Sequence, residues 1–149
     1  MKLSTRTQYG LRMLCQLAAE YEKGPMQMGE IVEREGISEK YLGQIMLVLR
    51  SSGLVSSVRG AQGGYYLGRA PDSVGLLEAV EILEGDILEF DDAAAGESSG
   101  VSDGRTMRNS ANEIWSRVRE AIVGVLSKYT LEDVVRLGLY KDGYLDFRI

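Results

Sequence analysis

The 149-residue chain is 44% hydrophobic and 26% charged, which suits one folded domain, or a small domain with an appendage, and argues against disorder. One cysteine and no histidine exclude a disulfide framework and remove the commonest general base and the commonest metal ligand, so we expect no enzymatic activity. The net charge is −5, and neither an apolar run of about 18 residues nor a signal-peptide pattern occurs, which indicates a cytoplasmic protein with no membrane partner.

The N-terminal part of the chain predicts two helices. In residues 4–21 apolar side chains recur at helical spacing, and Ser4 or Thr5 can cap the helix at its N-terminus. The predicted buried face of this first helix consists of Leu11, Leu14, Cys15, Ala18 and Tyr21. Residues 28–35 predict a short second helix, and its inward-facing apolar residues are Ile31 and Val32.

A third helix follows after a short turn. Ser38 can cap it, and it extends over residues 38–52. Its predicted buried face comprises Leu42, Ile45, Met46 and Leu49. Because a three-residue turn that contains Gly36 joins the second and third helices, the pattern is that of a helix-turn-helix.

Two strand-like runs come directly after the helix pair. They are "LVSSV" at residues 54–58 and "YYLG" at residues 65–68, and "RGAQGG" joins them. Glycine supplies the backbone conformations that such a tight connection needs. The sequence therefore predicts a mainly helical fold with a small β wing, in which residues 1–70 form a winged helix-turn-helix domain.

Residues 71–149 predict a second, mostly helical part. It begins with a linker helix that ends at Gly85, and a mobile loop is expected at about residues 91–105. From about residue 106 a long helix carries a wide apolar stripe, made of Ile114, Trp115, Val118, Ala121, Ile122, Val125 and Leu126. Since few other elements can cover this stripe, it favours pairing of two subunits.

Two short motifs match helix capping boxes. "SANE" at residues 110–113 is the first, and "TLED" at residues 130–133 is the second, which would open a helix through about Leu139. The last seven residues, "GYLDFRI", predict a terminal strand.

The exposed face of the third helix predicts contact with DNA bases. In helix-turn-helix proteins the N-terminal residues of the second helix of the pair meet base edges in the major groove. The residues on that face are Ser38, Glu39, Lys40, Tyr41, Gly43 and Gln44. Gln44 can hydrogen-bond adenine, Glu39 can accept from cytosine, and Lys40 or Tyr41 can hold phosphate. The alternative is an ordinary solvated helix face.

The wing strengthens the DNA-binding interpretation. Arg59 lies on a thin glycine-rich tip, and an arginine so placed can enter a narrow minor groove, where the negative potential is concentrated. Charge is also unevenly distributed: residues 1–70 have 9 Lys and Arg against 6 Asp and Glu, whereas residues 71–149 have 8 against 16. The N-terminal half can therefore face phosphates while the acidic half faces away.

Several stretches resemble the winged-helix repressor family that includes IscR, NsrR and CymR. They are "MKLSTRTQYGLRML", "ISEKYLGQIMLVLRSSGLV", "SVRGAQGGYYLG", "IWSRVREAI" and "TLED". The resemblance implies that the helix from Ser38 reads the major groove and that Arg59 enters the minor groove with its wing neighbours Gly60, Gln62 and Gly63. It also implies phosphate contacts by Ser4 and Arg6. The subunits would pair through the long helix, at Ile114, Trp115, Val118, Ile122 and Val125.

The chain departs from this family at two places. Members commonly have "YLEQ" where this chain has "YLGQ", and we hypothesise that Gly43 changes the preferred operator because it removes an acceptor for cytosine. Cluster-binding members have three cysteines in the region of residues 91–109. This chain has acidic and small residues there, with the possible oxygen donors Asp91, Asp92, Glu97 and Asp103, which suit cluster iron poorly. The chain therefore resembles the cluster-free, CymR-like branch, with no metal or other cofactor expected.

These observations predict a sequence-specific regulator, a homodimeric repressor that binds an inverted repeat in double-stranded DNA. The resemblance further implies that it responds to a partner enzyme, a small-molecule effector or thiol oxidation. The alternative is a protein-interaction module, derived from a winged helix, that docks a partner enzyme without binding DNA.

Overall fold

The computed structural model describes residues 3–85 and 102–141. The chain order of the helices and strands in these residues is α1 (Thr5–Ala19), α2 (Met28–Glu35), α3 (Glu39–Ser51), β1 (Val55–Val58), β2 (Gly64–Leu67), α4 (Leu76–Glu84), α5 (Ser102–Leu126) and α6 (Leu131–Lys141). The prediction of a mainly helical fold with a two-stranded wing is confirmed. Within the described ranges, no helix is both long and apolar enough to cross a bilayer.

Helix α1 begins where the sequence predicts, and it ends two residues early. The Ser4 hydroxyl accepts a hydrogen bond from the Thr7 N–H at 3.1 Å, which is N-cap geometry. Because the helix ends at Ala19, Tyr21 falls in the following turn and is 39% exposed, so its predicted place on the buried face is wrong. The face that is fully buried contains Met13, Leu14 and Leu17, in a helix that packs against α4 and α6 and also against α3 and β2.

The helix-turn-helix is confirmed. Gly36 ends α2 in the left-handed conformation, at φ 65°, which a residue without a Cβ adopts at little cost. The Ser38 hydroxyl then caps α3 by accepting from the Tyr41 N–H at 3.2 Å. All the predicted core residues of α3 are buried, namely Leu42, Ile45, Met46 and Leu49.

The wing is an antiparallel hairpin whose register runs from Val55 opposite Leu67 to Val58 opposite Gly64. Strand β2 is fixed near its tip end to the segment before α2, since Met26 and Tyr65 exchange two backbone hydrogen bonds of 2.8 Å. A side chain at Gly64 would collide with the Met26 carbonyl oxygen. The close approach of these two backbones therefore requires glycine, and it holds the wing in a fixed position beside α3.

The hydrophobic core joins the N-terminal helices to elements from further along the chain. Val74, Ala79, Leu83 and Leu131 belong to the same buried cluster as the residues of α1 and α3. Helix α4 ends at Gly85, as predicted. The Leu131 N–H donates to the Val74 carbonyl at 3.0 Å, so the start of α6 is held against the residues that precede α4.

One of the two predicted capping boxes is confirmed. The Thr130 N–H donates to Asp133 Oδ2 at 2.8 Å, and the Asp133 N–H donates to Thr130 Oγ1 at 3.3 Å. The predicted box at residues 110–113 is wrong, because Ser110 lies inside a helix that starts eight residues earlier.

The predicted mobile loop is also too long at its C-terminal end, since residues 102–105 are helical. Gly104 does not delay the start of α5, because one glycine inside a helix costs only about 1 kcal/mol relative to alanine. The rest of that loop, with Asp91, Asp92 and Glu97, lies outside the described residues. The predicted terminal strand at residues 143–149 lies outside them as well.

Candidate nucleic-acid interface

Helix α3 presents a polar face to solvent. Ser38, Glu39, Lys40 and Gln44 are all exposed, as the sequence predicts. The Ser38 oxygen accepts the capping hydrogen bond, which leaves its hydroxyl hydrogen available to a phosphate oxygen. Gln44 offers an amide that can pair with an adenine edge, and Glu39 offers a carboxylate that can accept from cytosine.

Tyr41 has a packing role in addition to its predicted contact with phosphate. Its ring is half-buried and lies edge-on to the Tyr9 ring of α1, with centroids 6.2 Å apart and an interplanar angle of 89°. The Arg12 guanidinium lies 5.4 Å from the Tyr9 centroid and forms an ion pair with Glu35, from Nε to Oε2, at 2.7 Å. These contacts connect α1, α2 and the first turn of α3, so they fix the angle at which α3 projects.

Gly43 occupies an open position on α3. A Cβ built there meets no other atom within 4 Å apart from the helix's own backbone and its chain neighbours. The glycine is therefore not required by packing, and a longer side chain at this position would extend from the helix surface beside Gln44.

The wing tip is exposed at Arg59, Gly60 and Gln62, while Gly63 is half-buried. Gly60 has φ 121°, a conformation that glycine adopts readily. A side chain at Gly63 would collide with the Val58 carbonyl oxygen, so this glycine closes the hairpin and keeps the tip thin. The Gln27 amide Nε2 donates to the Ala61 carbonyl at 3.4 Å and links the tip to the start of α2.

Ser4 is engaged within the protein. Its N–H and its hydroxyl both donate to the Glu84 carboxylate, the hydroxyl at 2.8 Å, and the Thr7 hydroxyl donates to the same carboxylate. The hydrogen bond from Thr7, followed by those from Ser4 and the charge of Arg6, holds the pKa of Glu84 below its usual value, against the opposing effect of desolvation. A phosphate that approached Ser4 would compete with Glu84. Arg6 is exposed.

Sequence reasoning missed two exposed residues of α3 in this candidate interface, Leu47 and Arg50. Leu47 is 63% exposed and lies one helical turn after Gln44 on the same face of α3. Arg50 is exposed in the last turn of α3 and lines a cleft together with Arg59 of the wing. Lys40 and Gln44 lie one helical turn apart, and a further step of three residues along the same face would have identified Leu47. Arg50 becomes recognisable only when the wing is placed beside the helix.

Helix α5 leaves most of its apolar stripe uncovered in the single chain. Ile114 is 62% exposed, and Trp115 and Val125 are also exposed, whereas Val118 and Ile122 are half-buried. Such a row of large apolar side chains at helical spacing is unusual for a surface that faces only water.

Comparisons with known proteins give one consistent result. The family profile described as "Rrf2: Iron-dependent Transcriptional regulator" matches residues 3–137. The HTH-type transcriptional regulator CymR of Bacillus subtilis strain 168 is 38% identical over 148 residues, which are 96% of this chain and 94% of CymR. The HTH-type transcriptional regulator IscR of Klebsiella pneumoniae strain 342 is 33% identical over 135 residues, 91% of this chain and 80% of that IscR. Among solved structures, T. potens IscR has a TM-score of 0.73 and 34% identity, covering 93% of this chain and 88% of that structure.

Proposed function

The chain belongs to the Rrf2 family of helix-turn-helix transcriptional regulators, and we propose that it acts as a homodimeric repressor on an inverted-repeat operator. The observation that carries this proposal is the combination of an exposed polar face on α3 with an exposed arginine at the adjacent wing tip. The helix fits a major groove, and the wing fits the minor groove beside it. A dimer bound in this way would cover a promoter and block access to it.

The homodimer is supported by the exposed stripe on α5. Ile114, Trp115 and Val125 lie on one long helix, and a second copy of the same helix would bury them. Because one recognition helix per chain reads one half-site, two chains related by two-fold symmetry match an inverted repeat.

The contacts proposed for individual residues follow from their positions. Gln44 and Glu39 read bases, while Lys40, Tyr41, Ser38 and Arg6 hold phosphates. Arg59 enters the minor groove, and Gly60, Gln62 and Gly63 let the tip approach closely. Ser4 takes part only if the DNA displaces Glu84. A regulator that acts on chromosomal DNA works in the cytoplasm, and its signal is a partner enzyme or a small molecule.

The competing proposal is an interaction module that docks a partner enzyme and does not bind DNA. A titration of short random duplex DNA over a salt series separates the two. A protein that neutralises several phosphates shows a logarithmic slope of about −0.9 per phosphate against salt concentration. A steep slope supports the regulator, whereas a protein with no measurable affinity for any duplex contradicts it.

The family description includes iron, and the residues of this chain do not fit an iron–sulfur cluster. The sequence has one cysteine and no histidine. Cys15 lies in α1, half-buried against the core, and burial raises the pKa of its thiol to about 11. At neutral pH the thiol is therefore protonated, whereas cluster iron is held by thiolates. Within the described part of the chain, no three acidic, cysteine or histidine side chains converge on one point.

We therefore expect the anaerobically purified protein to be colourless and to bind its operator in the presence of a chelator. The measurements are a visible absorbance spectrum, iron and sulfide analysis, and a DNA titration with and without chelator. A visible charge-transfer band with stoichiometric iron, or loss of DNA binding on chelation, would contradict the cluster-free proposal.

Replacing Arg59 with alanine should weaken specific DNA binding by about 1–3 kcal/mol, the usual cost of one well-placed groove contact. The melting temperature should not change, because the side chain is exposed at the wing tip and is outside the core. The control is Arg69→Ala, which removes an exposed arginine beyond the other end of the hairpin, where it pairs with Glu78. An unfolded Arg59→Ala protein would show instead that Arg59 has a structural role.

A further inference from the structure

Two arginines beside the wing, Arg50 and Arg59, form no ion pair in the parts of the chain that the structure describes. Most other arginines with described side chains pair with a carboxylate within 4.0 Å, namely Arg12, Arg34, Arg69, Arg117 and Arg136. Among the described residues Arg6 forms no ion pair of this kind either, but its charge helps to lower the pKa of Glu84. Within residues 3–85 and 102–141, Arg50 and Arg59 have no such ion pair.

These two arginines lie in the same cleft. A concavity of about 280 Å³ between the last turn of α3 and the wing is lined by Arg50, Ser57, Arg59 and the backbone of the wing glycines. It adjoins a larger hollow of about 510 Å³ that Arg50 and Ser57 also line, together with Leu47, Ser51 and Tyr66. Arg50 and Ser57 therefore stand at the centre of the depression between helix and wing.

The position of the cleft identifies its occupant. When α3 lies in a major groove and the wing lies in the adjacent minor groove, the sugar–phosphate backbone between the two grooves must pass between them. We infer that the cleft between α3 and the wing binds this phosphodiester backbone, with Arg50 as a phosphate-binding residue and Ser57 as a second donor. The inference rests on the proposed function, because it assumes that α3 and the wing engage one duplex together.

The chemistry of the lining matches a phosphodiester. A guanidinium presents two N–H donors to one phosphate and stays charged at every physiological pH. A serine hydroxyl adds a neutral donor, of the kind that commonly contacts DNA backbone oxygens. Because every nucleotide has the same phosphate, this contact fixes the position of the protein on the duplex without reading sequence.

Replacing Arg50 and replacing Arg59 should therefore change the affinity for operator and for random duplex in different ways. Without Arg50, affinity should fall by about tenfold for the operator and for random duplex alike, since a charged hydrogen bond to the common backbone is lost. The magnitude of the salt slope should also decrease by about 0.9, which corresponds to one phosphate. Without Arg59, the loss should be larger for the operator than for random duplex.

The first experiment compares wild type, Arg50→Ala and the control Arg69→Ala by fluorescence anisotropy. Each protein is titrated with random duplex and with an operator selected from random sequences, over a salt series. Equal losses on both duplexes and a reduced slope for Arg50→Ala, with Arg69→Ala like wild type, are expected. If wild type itself does not bind duplex DNA, both the proposed function and this inference fail. If wild type binds and Arg50→Ala binds equally well, only this inference fails.

The second experiment locates the phosphate by changing the DNA as well as the protein, and it uses two different replacements of Arg50. Neutral methylphosphonates are placed one at a time along the operator backbone, between the major groove of a half-site and its flanking minor groove. One substitution should weaken binding of wild type and have little further effect on Arg50→Ala or Arg50→Gln. If no position in this interval affects wild type, Arg50 does not bind the backbone there. The same conclusion follows if every methylphosphonate weakens the Arg50 variants by the same factor as wild type.

Discussion

Moving the two half-sites of the operator apart by about five base pairs is expected to abolish specific binding, because this change rotates one half-site to the opposite face of the duplex. Each chain has one α3, and the uncovered stripe on α5 offers a surface through which two chains can pair. A dimer of this kind sets a fixed distance between its recognition helices. The half-site centres should therefore lie about 10–10.5 base pairs apart, or a multiple of that distance.

The measurement is a titration of the selected operator and of variants with altered central spacing. An insertion of one full turn, about 10–10.5 base pairs, serves as the control, because it returns both half-sites to one face. Binding to that variant should exceed binding to the half-turn variant. Equal affinity for every spacing would rule out the two-fold arrangement and would favour a protein that binds as independent monomers.

Replacing Leu131 with alanine should lower the free energy of unfolding by about 2–5 kcal/mol, the range observed when a fully buried leucine is truncated. Leu131 is the first residue of α6 and has no exposed surface, and it belongs to the cluster that contains the buried residues of α1 and α4. Its removal leaves a cavity at the place where the C-terminal helix meets the DNA-binding part.

Leu137→Ala is the matched control for this substitution, since it makes the same change in the same helix at a side chain that is 54% exposed. Its effect should stay within about 0.5 kcal/mol. Denaturant unfolding of the two variants and of wild type gives the comparison. Leu131→Ala should retain normal DNA affinity well below its melting temperature, because Leu131 has no exposed surface and cannot itself contact DNA. Similar stabilities for both variants would show that α6 does not hold the core together.

Local patterns were sufficient to predict the helix-turn-helix and the wing. The caps at Ser38 and Thr130 are read from residue type and from hydrogen bonds within three residues, and both are present. The apolar spacing of α3 assigns its buried face correctly, since a helix repeats every 3.6 residues whatever it packs against. The start of α5 was missed because polar residues and a glycine at 102–105 suit a loop as well as a helix end.

Contacts between distant parts of the chain could not be predicted in this way. The bonds from Ser4 and Thr7 to Glu84 span about 80 residues, and the pairing of Met26 with Tyr65 depends on where the hairpin folds back. The same holds for Arg50, which lines the same cleft as Arg59 only in the folded chain. The assignment of bases and phosphates to individual residues stays a prediction that the experiments above can test.

The burial of Leu131 beside α1 has a consequence for how the protein is made. The ribosome synthesises α1 first, yet α1 packs against α4 and against α6, which emerges last among the described elements, as well as against α3 and β2. The nascent chain therefore cannot complete its core from the N-terminus onward, because Leu83 of α4 and Leu131 of α6 belong to it. A newly made polypeptide should consequently gain affinity for its operator late, once translation has passed the last helix, and incomplete chains should be substrates for chaperones and proteases and not competitors for the promoter.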